Sequence, residues 1–330
     1  MAANATTSVF FGENESIVNG GISMVCGGAS LAASVLVLVS INRAPSTKGS
    51  PFALLSTSMG VADCGALLIL TFWMGPLTAS QSMSWAASGL GRLVGRTMIL
   101  CWFGSIFAIL AMAVNRAVAM TFPAQYSGVF TSTNTTALAM LSWLAAFLVF
   151  FLLFGEGCSF YYNPEGYYWT YEDTPCGAAI AYYVDFYLSL AVVSLILFFN
   201  VVALLFLRKS NLEQLASVGE RGVALKEAER QRRRRTELRF LGVTVANVAA
   251  LFVAIVSFHI WSRLATEKWG FYLTTSFVWI ATQSSNGFLL AIFLGDVRKH
   301  MFACRATVGP RQATNVSGKR RDAEALPNVE

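Results

Sequence analysis

The sequence predicts an all-α membrane protein, a bundle of seven transmembrane helices with its N-terminus outside and a short amphipathic inner helix after the seventh span. Hydrophobic residues make up 55% of the chain and charged residues 13%, with a mean hydropathy of +0.56, too apolar a composition to clothe a water-soluble domain. Seven apolar runs each reach about 20 residues, the length that carries a helix across about 30 Å of hydrocarbon. With the N-terminus outside, twenty of the 24 Lys and Arg residues fall in inner segments and four in outer ones, a strong positive-inside asymmetry.

Taken in order, residues 1–16 form an outer segment with two glycosylation acceptors, Asn4-Ala5-Thr6 and Asn14-Glu15-Ser16. It lacks a basic n-region, so the first span is expected to serve as its own targeting signal. The spans are read at about 17–41, 53–77, 89–114, 136–155, 178–207, 240–261 and 271–294, within a membrane domain of 17–302. Small residues such as Gly27, Gly28 and Ala32 let helices approach closely in lipid. A tail, 303–330, is expected to be disordered.

The basic residues between spans five and six, including Arg232 to Arg235, favour helix from about Val223 onward. They read either as a solvated helix that sets orientation or as a surface for anionic membrane lipids or an inner partner. After span seven, residues 296–302 form an amphipathic turn, and Cys304 just beyond is a palmitoylation candidate. The net charge of +6 and pI near 9.1 are accounted for by these inner segments, so no nucleic-acid partner is expected.

Of six cysteines, Cys26, Cys64 and Cys101 lie inside apolar runs, whereas Cys158 and Cys176 flank the outer loop CSFYYNPEGYYWTYEDTPC. On an oxidising face a Cys158–Cys176 bridge would close a loop of about 18 residues and contribute about 3 kcal/mol in the chain-entropy model. The loop is then a stapled lid over the outer mouth. The alternative is two free thiols within an interfacial aromatic belt. With two histidines and no C-x-x-C motif, no metal site is expected. Ser, Cys and His do not cluster with a base and an orienting group, so no enzyme is expected.

Charges inside spans are costly and are functional candidates by default. Asp63 lies near the middle of span two, Ser105 three helical turns before Arg116, and Asn286 beside Ser284 and Ser285 in span seven. Nearer the outside, Arg96, Glu156 and Asp185 are candidates to face a ligand cavity walled by Trp102, Tyr182, His259 and Trp279. Each has a plainer alternative: the acids in the headgroup region, the tryptophans as packing, His259 as a hydrogen-bonded anchor. For Arg116 the plainer alternative is a side chain that only snorkels to phosphate.

Span three ends its apolar run at Asn115-Arg116, followed by Pro123 and Tyr126. That pattern, with seven spans and a basic third inner loop, resembles rhodopsin-like G-protein-coupled receptors. It is most similar to the class X serpentine chemoreceptors of nematodes, through the Asn-Arg ending, the Cys158 to Cys176 loop with Trp169, and Tyr182, Tyr183, Asp185, Phe186 and Tyr187 opening span five. Span seven, from Lys268-Trp269-Gly270-Phe271 through Trp279 to Asn286-Gly287-Phe288, fits the same class.

The resemblance implies a chemosensory receptor of the plasma membrane that binds a small molecule outside and activates a heterotrimeric G protein when the inner end of span six swings outward. Asn115, Arg116, Pro123 and Tyr126 would be the switch residues, and Asp63 with Ser105 and Asn286 would resemble a sodium-responsive centre, as against a purely structural hydrogen-bond network. The chain departs from the rhodopsin-like pattern: Gly91 and Arg92 stand where a span-three cysteine is usual, span six has no Cys-Trp-x-Pro and span seven no Asn-Pro-x-x-Tyr. A transporter or channel is the alternative, without visible repeats. A retinal photoreceptor is disfavoured because Lys268 and Lys299 flank span seven and no lysine lies within it.

Overall fold

The computed structural model describes residues 3–45, 47–216 and 224–293. Its long helices are α1 (Ala3–Arg43), α2 (Pro51–Ser80), α3 (Gly89–Thr121), α4 (Ser132–Leu152), α5 (Pro175–Lys209, helical onward to Ala216), α6 (Ala224–His259) and α7, which runs Lys268–Phe271, Tyr272–Phe277 and Val278–Phe293. Six are individually long and apolar enough to cross a membrane, and α7 is divided by a wide turn. The turn at 296–302, Cys304 and the tail 303–330 lie outside the described residues, as do the side chains of Asn4 and of 232–235.

Local chemistry sets the helix starts. The Ser50, Ser88, Thr131 and Thr174 hydroxyls each accept a backbone N–H in the first turn of α2, α3, α4 and α5, satisfying donors with no partner inside the helix. Pro51 and Pro175 take the first position, where a missing N–H costs nothing. Residues 3–16 continue α1 rather than forming a loop, and Asn14 is exposed on it. α6 is described from Ala224, and the predicted start at Val223 lies outside the described residues.

The sequence placed Asn115-Arg116 at the end of the apolar run of span three, and the helix that carries this run extends beyond it. α3 continues to Thr121 because Ala117 to Thr121 contains no helix breaker. The helix stops where Pro123 drives the preceding residue out of the helical region, Phe122 having φ −128° and ψ 60°.

α3 is the most buried of the spans and packs against α2, α4, α5 and α6, while α7 lies between α1, α2 and α6. α4 turns Met140, Leu141, Leu144, Leu148 and Phe151 outward, as a lipid-facing helix does. Three helices contain a π-type wide turn: Leu70–Met74 in α2, Ile180–Leu188 in α5 and Tyr272–Phe277 in α7. Such turns insert an extra residue and cluster at functional sites. All three lie toward the same end of the bundle.

That end carries the one sheet among the described residues, an antiparallel hairpin of β1 (Phe160–Asn163) and β2 (Tyr168–Tyr171). Cys158 and Cys176 are bridged, with Cα atoms 5.0 Å apart, tying the hairpin to the start of α5. Its backbone lies so close to α3 that a Cβ on Gly95 would fall 1.9 Å from the Phe160 carbonyl oxygen. Gly95→Ala should therefore lower the melting temperature of the purified protein by roughly 2–10 °C, an overpacking cost of about 1–3 kcal/mol. Gly89→Ala, with nothing within 4 Å, is the matched control in the same thermal scan.

Candidate functional site

Strand alternation decides what the hairpin presents to the bundle. In its register Phe160 faces Tyr171 and Tyr162 faces Trp169, so these four aromatics share one face, and all are buried. The opposed pairs meet at centroid distances of 4.6 and 5.2 Å, and Phe160 stacks on Trp169 at 5.5 Å. Below them Trp279 of α7 lies 5.9 Å from Phe160, 6.2 Å from Trp169, 5.3 Å from Phe258 of α6 and 5.9 Å from Trp102 of α3. Each such pair contributes about 0.5–1.5 kcal/mol beyond its buried area. The lid is therefore an inserted plug, not a cover resting on the mouth.

Polar contacts fix its depth, and each wide turn supplies one partner. The Trp169 indole N–H donates to the Met74 sulfur in the α2 turn at 3.3 Å. The Ser276 hydroxyl in the α7 turn donates to the Tyr167 carbonyl at 2.9 Å. In the α5 turn, Asp185 faces the Tyr171 phenol, whose pKa is pushed well above its usual value by burial first and by the Asp185 charge second. From β1, Tyr162 and Thr78 share a hydrogen bond of 2.6 Å. Met74, Phe258 and Ser276 were not singled out from the sequence; the alternation of Phe160 with Tyr162 and of Trp169 with Tyr171 was the available signal for an inward face.

Of the pocket candidates, Trp102 and Trp279 stack with planes 9° apart, and the Trp102 indole donates to Ser189 at 3.2 Å. Asp185 and His259 come together at 3.5 Å, both largely buried. Tyr182 is half exposed, lining a cleft of about 630 Å³ between α5 and α6 with Tyr183, Phe186, His259 and Arg263. A second cleft, about 390 Å³, lies between β2, α6 and α7 and also reaches His259 and Arg263. Two candidates lie apart from these. Glu156 is exposed in the turn after α4, next to Gly157, whose φ of 69° turns the chain before Cys158. Arg96 turns to the lid, donating to Ser159 at 3.0 Å and lying 4.2 Å over Phe154, away from Asp185.

Deeper in the bundle Asp63 is buried, and its two carboxylate oxygens accept from the Ser105 hydroxyl at 2.7 Å and the Asn286 amide at 2.8 Å. One carboxylate thus links α2, α3 and α7. Ser284 and Ser285 bond carbonyls of their own helix instead, as serines free to reach the preceding turn do. Among the described residues no cluster of three His, Cys, Asp or Glu side chains forms.

At the far end from the hairpin, the buried Asn115 amide donates to the Tyr126 hydroxyl at 3.1 Å. Pro123 makes the turn that brings Tyr126 back under α3, where it stacks on Phe130. Arg116 is buried, its guanidinium 4.6 Å over the Phe52 ring of α2. A cation–π contact of this kind contributes about 0.5–2 kcal/mol.

Removing the carboxylate that joins three helices leaves two buried donors without an acceptor. Asp63→Ala should cost about 1–3 kcal/mol, and combining it with Asn286→Ala should cost less than the two changes added, because they break the same bond. Thermal scans of the single and double variants measure both.

Residues 28–293 match the family model described as "Serpentine type 7TM GPCR chemoreceptor Srx". The chain is 22% identical over 280 residues to "Serpentine receptor class X 45" of Caenorhabditis elegans, covering 81% of this chain and 75% of that one. Its fold is similar to that of squid rhodopsin, with a TM-score of 0.69 at 14% identity, over 89% of this chain and 86% of the other. With four-fifths of the chain inside that family model, and with its helices arranged as in a rhodopsin, the protein belongs to the serpentine chemoreceptor family Srx of G-protein-coupled receptors.

Proposed function

We propose that the chain is a plasma-membrane chemosensory receptor, not an enzyme, that converts binding of an extracellular small molecule at the hairpin end into activation of a heterotrimeric G protein at the other. The observation that carries this is the division of labour along the bundle. One end holds a disulfide-tied aromatic plug, and the other holds the Asn115–Tyr126 bond and the Arg116–Phe52 contact between α2 and α3. The disulfide and the exposed Asn14 acceptor support an outside hairpin end and N-terminus. Arg43, Lys48, Arg208 and Lys209 at the opposite end support an inner face there.

In this mechanism the ligand favours a state in which the inner end of α6 moves outward, and it does so only through tighter binding to that state. Phe52 holds Arg116 against α2 in the resting state, and the outward movement frees it for a G-protein element. No carboxylate adjoins Arg116 in sequence, and the Phe52 ring is one of the groups that restrain it. The Asp63 carboxylate and the Ser105 hydroxyl are oxygen donors that suit sodium, which would add a positive charge beside the carboxylate and tighten the link between α2 and α3.

Cells expressing the receptor, screened with volatile and water-soluble small molecules through a second-messenger reporter, test the proposal. Arg116→Ala should reduce ligand-driven signalling roughly tenfold or more at unchanged surface expression, and Asn115→Asp, which supplies the missing acid, should lower basal signalling. Absence of coupling to any of a panel of G proteins, with the receptor at the surface, contradicts it. Sodium should raise the melting temperature of the wild-type protein relative to potassium and leave Asp63→Asn unmoved; an equal rise in both removes sodium from Asp63.

A further inference from the structure

The volume enclosed by α2, α3, α5, α6 and α7 at the hairpin end is taken up by the protein's own strand. Trp169 sits between Met74 and Trp279, with its N–H on a sulfur acceptor. Tyr171 is buried beside it with its hydroxyl turned toward Asp185. Apart from facing each other, the Tyr171 hydroxyl and Asp185 Oδ2 have no hydrogen-bond partner among the described residues, and Asp185 is 3% exposed. Its one ion-pair contact is His259 Nε2 at 3.5 Å. A buried carboxylate oxygen without a hydrogen bond is an acceptor with capacity to spare.

What this seat recognises can be read from its occupant. It stacks the rings of Trp169 and Phe160 on Trp279, which is itself packed on Trp102 and Phe258, and it offers acceptors at two places, the Met74 sulfur and the Asp185 carboxylate. Arg96 and Arg92 are turned to Ser159 and Glu172, so among the described residues the His259 imidazole, 3.5 Å from Asp185 Oδ2, is the basic group beside it. We propose that this seat is the receptor's ligand site, and that its ligands are small planar aromatics bearing an N–H or O–H donor, which bind by displacing Trp169 and Tyr171. The ligand class rests on the receptor reading above, whereas occupation of the seat is a binding claim on its own.

Displacement carries a quantitative signature. A ligand that competes with a tethered occupant has its apparent affinity reduced by the fraction of time the seat is open. If the strand vacates the seat about 1% of the time, removing the occupant tightens binding by up to about 100-fold. Ligands in the peripheral clefts beside Arg263 would show no such gain.

The experiment uses the purified full-length protein in lipid nanodiscs with indole, 4-methylphenol and 1-methylindole as probes and no G protein, so that failure of coupling and failure of this site are separable. Indole should bind Trp169→Ala at least tenfold more tightly than wild type, and more tightly than 1-methylindole, which lacks the donor. Met74→Leu should erase the preference for indole over 1-methylindole. In the wild-type protein, indole should saturably accelerate reduction of the Cys158–Cys176 bridge by a phosphine, because displacement loosens the lid; this arm needs no variant to fold. Equal indole affinity in wild type and Trp169→Ala, or a reduction rate indifferent to indole, overturns the proposal.

Discussion

Hydrocarbon offers no hydrogen-bond partner to a backbone amide, so a chain this apolar crosses a membrane as helices whose bonds close internally. The hairpin is the described stretch of extended backbone that penetrates the bundle mouth, and three features permit it. Its two strands satisfy each other over four paired residues. Gly95 yields the space that a side chain would take from the Phe160 carbonyl. Its buried face is wholly aromatic, so that side-chain stacking on Trp279 and Phe258 replaces the helix–helix packing the plug interrupts. The disulfide fixes one base of the hairpin to α5, and the remainder of that end of the bundle is fitted around it.

The wide turns follow from that fit. A regular α-helix would carry Met74, Asp185 and Ser276 along a uniform 100° progression, whereas an inserted residue re-aims the next turn of helix. In α2, α5 and α7 the re-aimed turn meets the plug through a different group: a sulfur, a carboxylate and a hydroxyl. The same three helices continue toward the opposite end, where α2 carries both Asp63 and Phe52 and α7 carries Asn286. A shift of the plug therefore has a continuous packed route, through α2, to the arginine at the other end.

Much of this was legible in the sequence because the signals were one-dimensional. Apolar run length located the spans, and placement on one loop paired Cys158 with Cys176. Intramembrane polarity singled out Asp63, Ser105 and Asn286, whose side chains meet. Hydropathy locates where a helix leaves the apolar layer and not where it ends. α3 runs past Asn115-Arg116 because only Pro123 breaks it, and Arg116 finds an aromatic partner that no periodicity reveals. Glu156 was grouped with Asp185 by charge, but it lies exposed beside the left-handed Gly157. The wide turns were invisible because their sequences, LTFWM, IAYYVDFYL and YLTTSF, contain neither proline nor glycine and read as ordinary helix.

Hydrogen–deuterium exchange tests most directly whether the plug holds the bundle as described, comparing the oxidised protein with Cys158→Ser. The account predicts that Leu70–Met74, Ile180–Leu188 and Tyr272–Phe277 lose protection together when the hairpin is released, although only Ile180–Leu188 lies near the broken bridge in sequence. Exchange that rises in the hairpin alone, with the three turns unchanged, would contradict it.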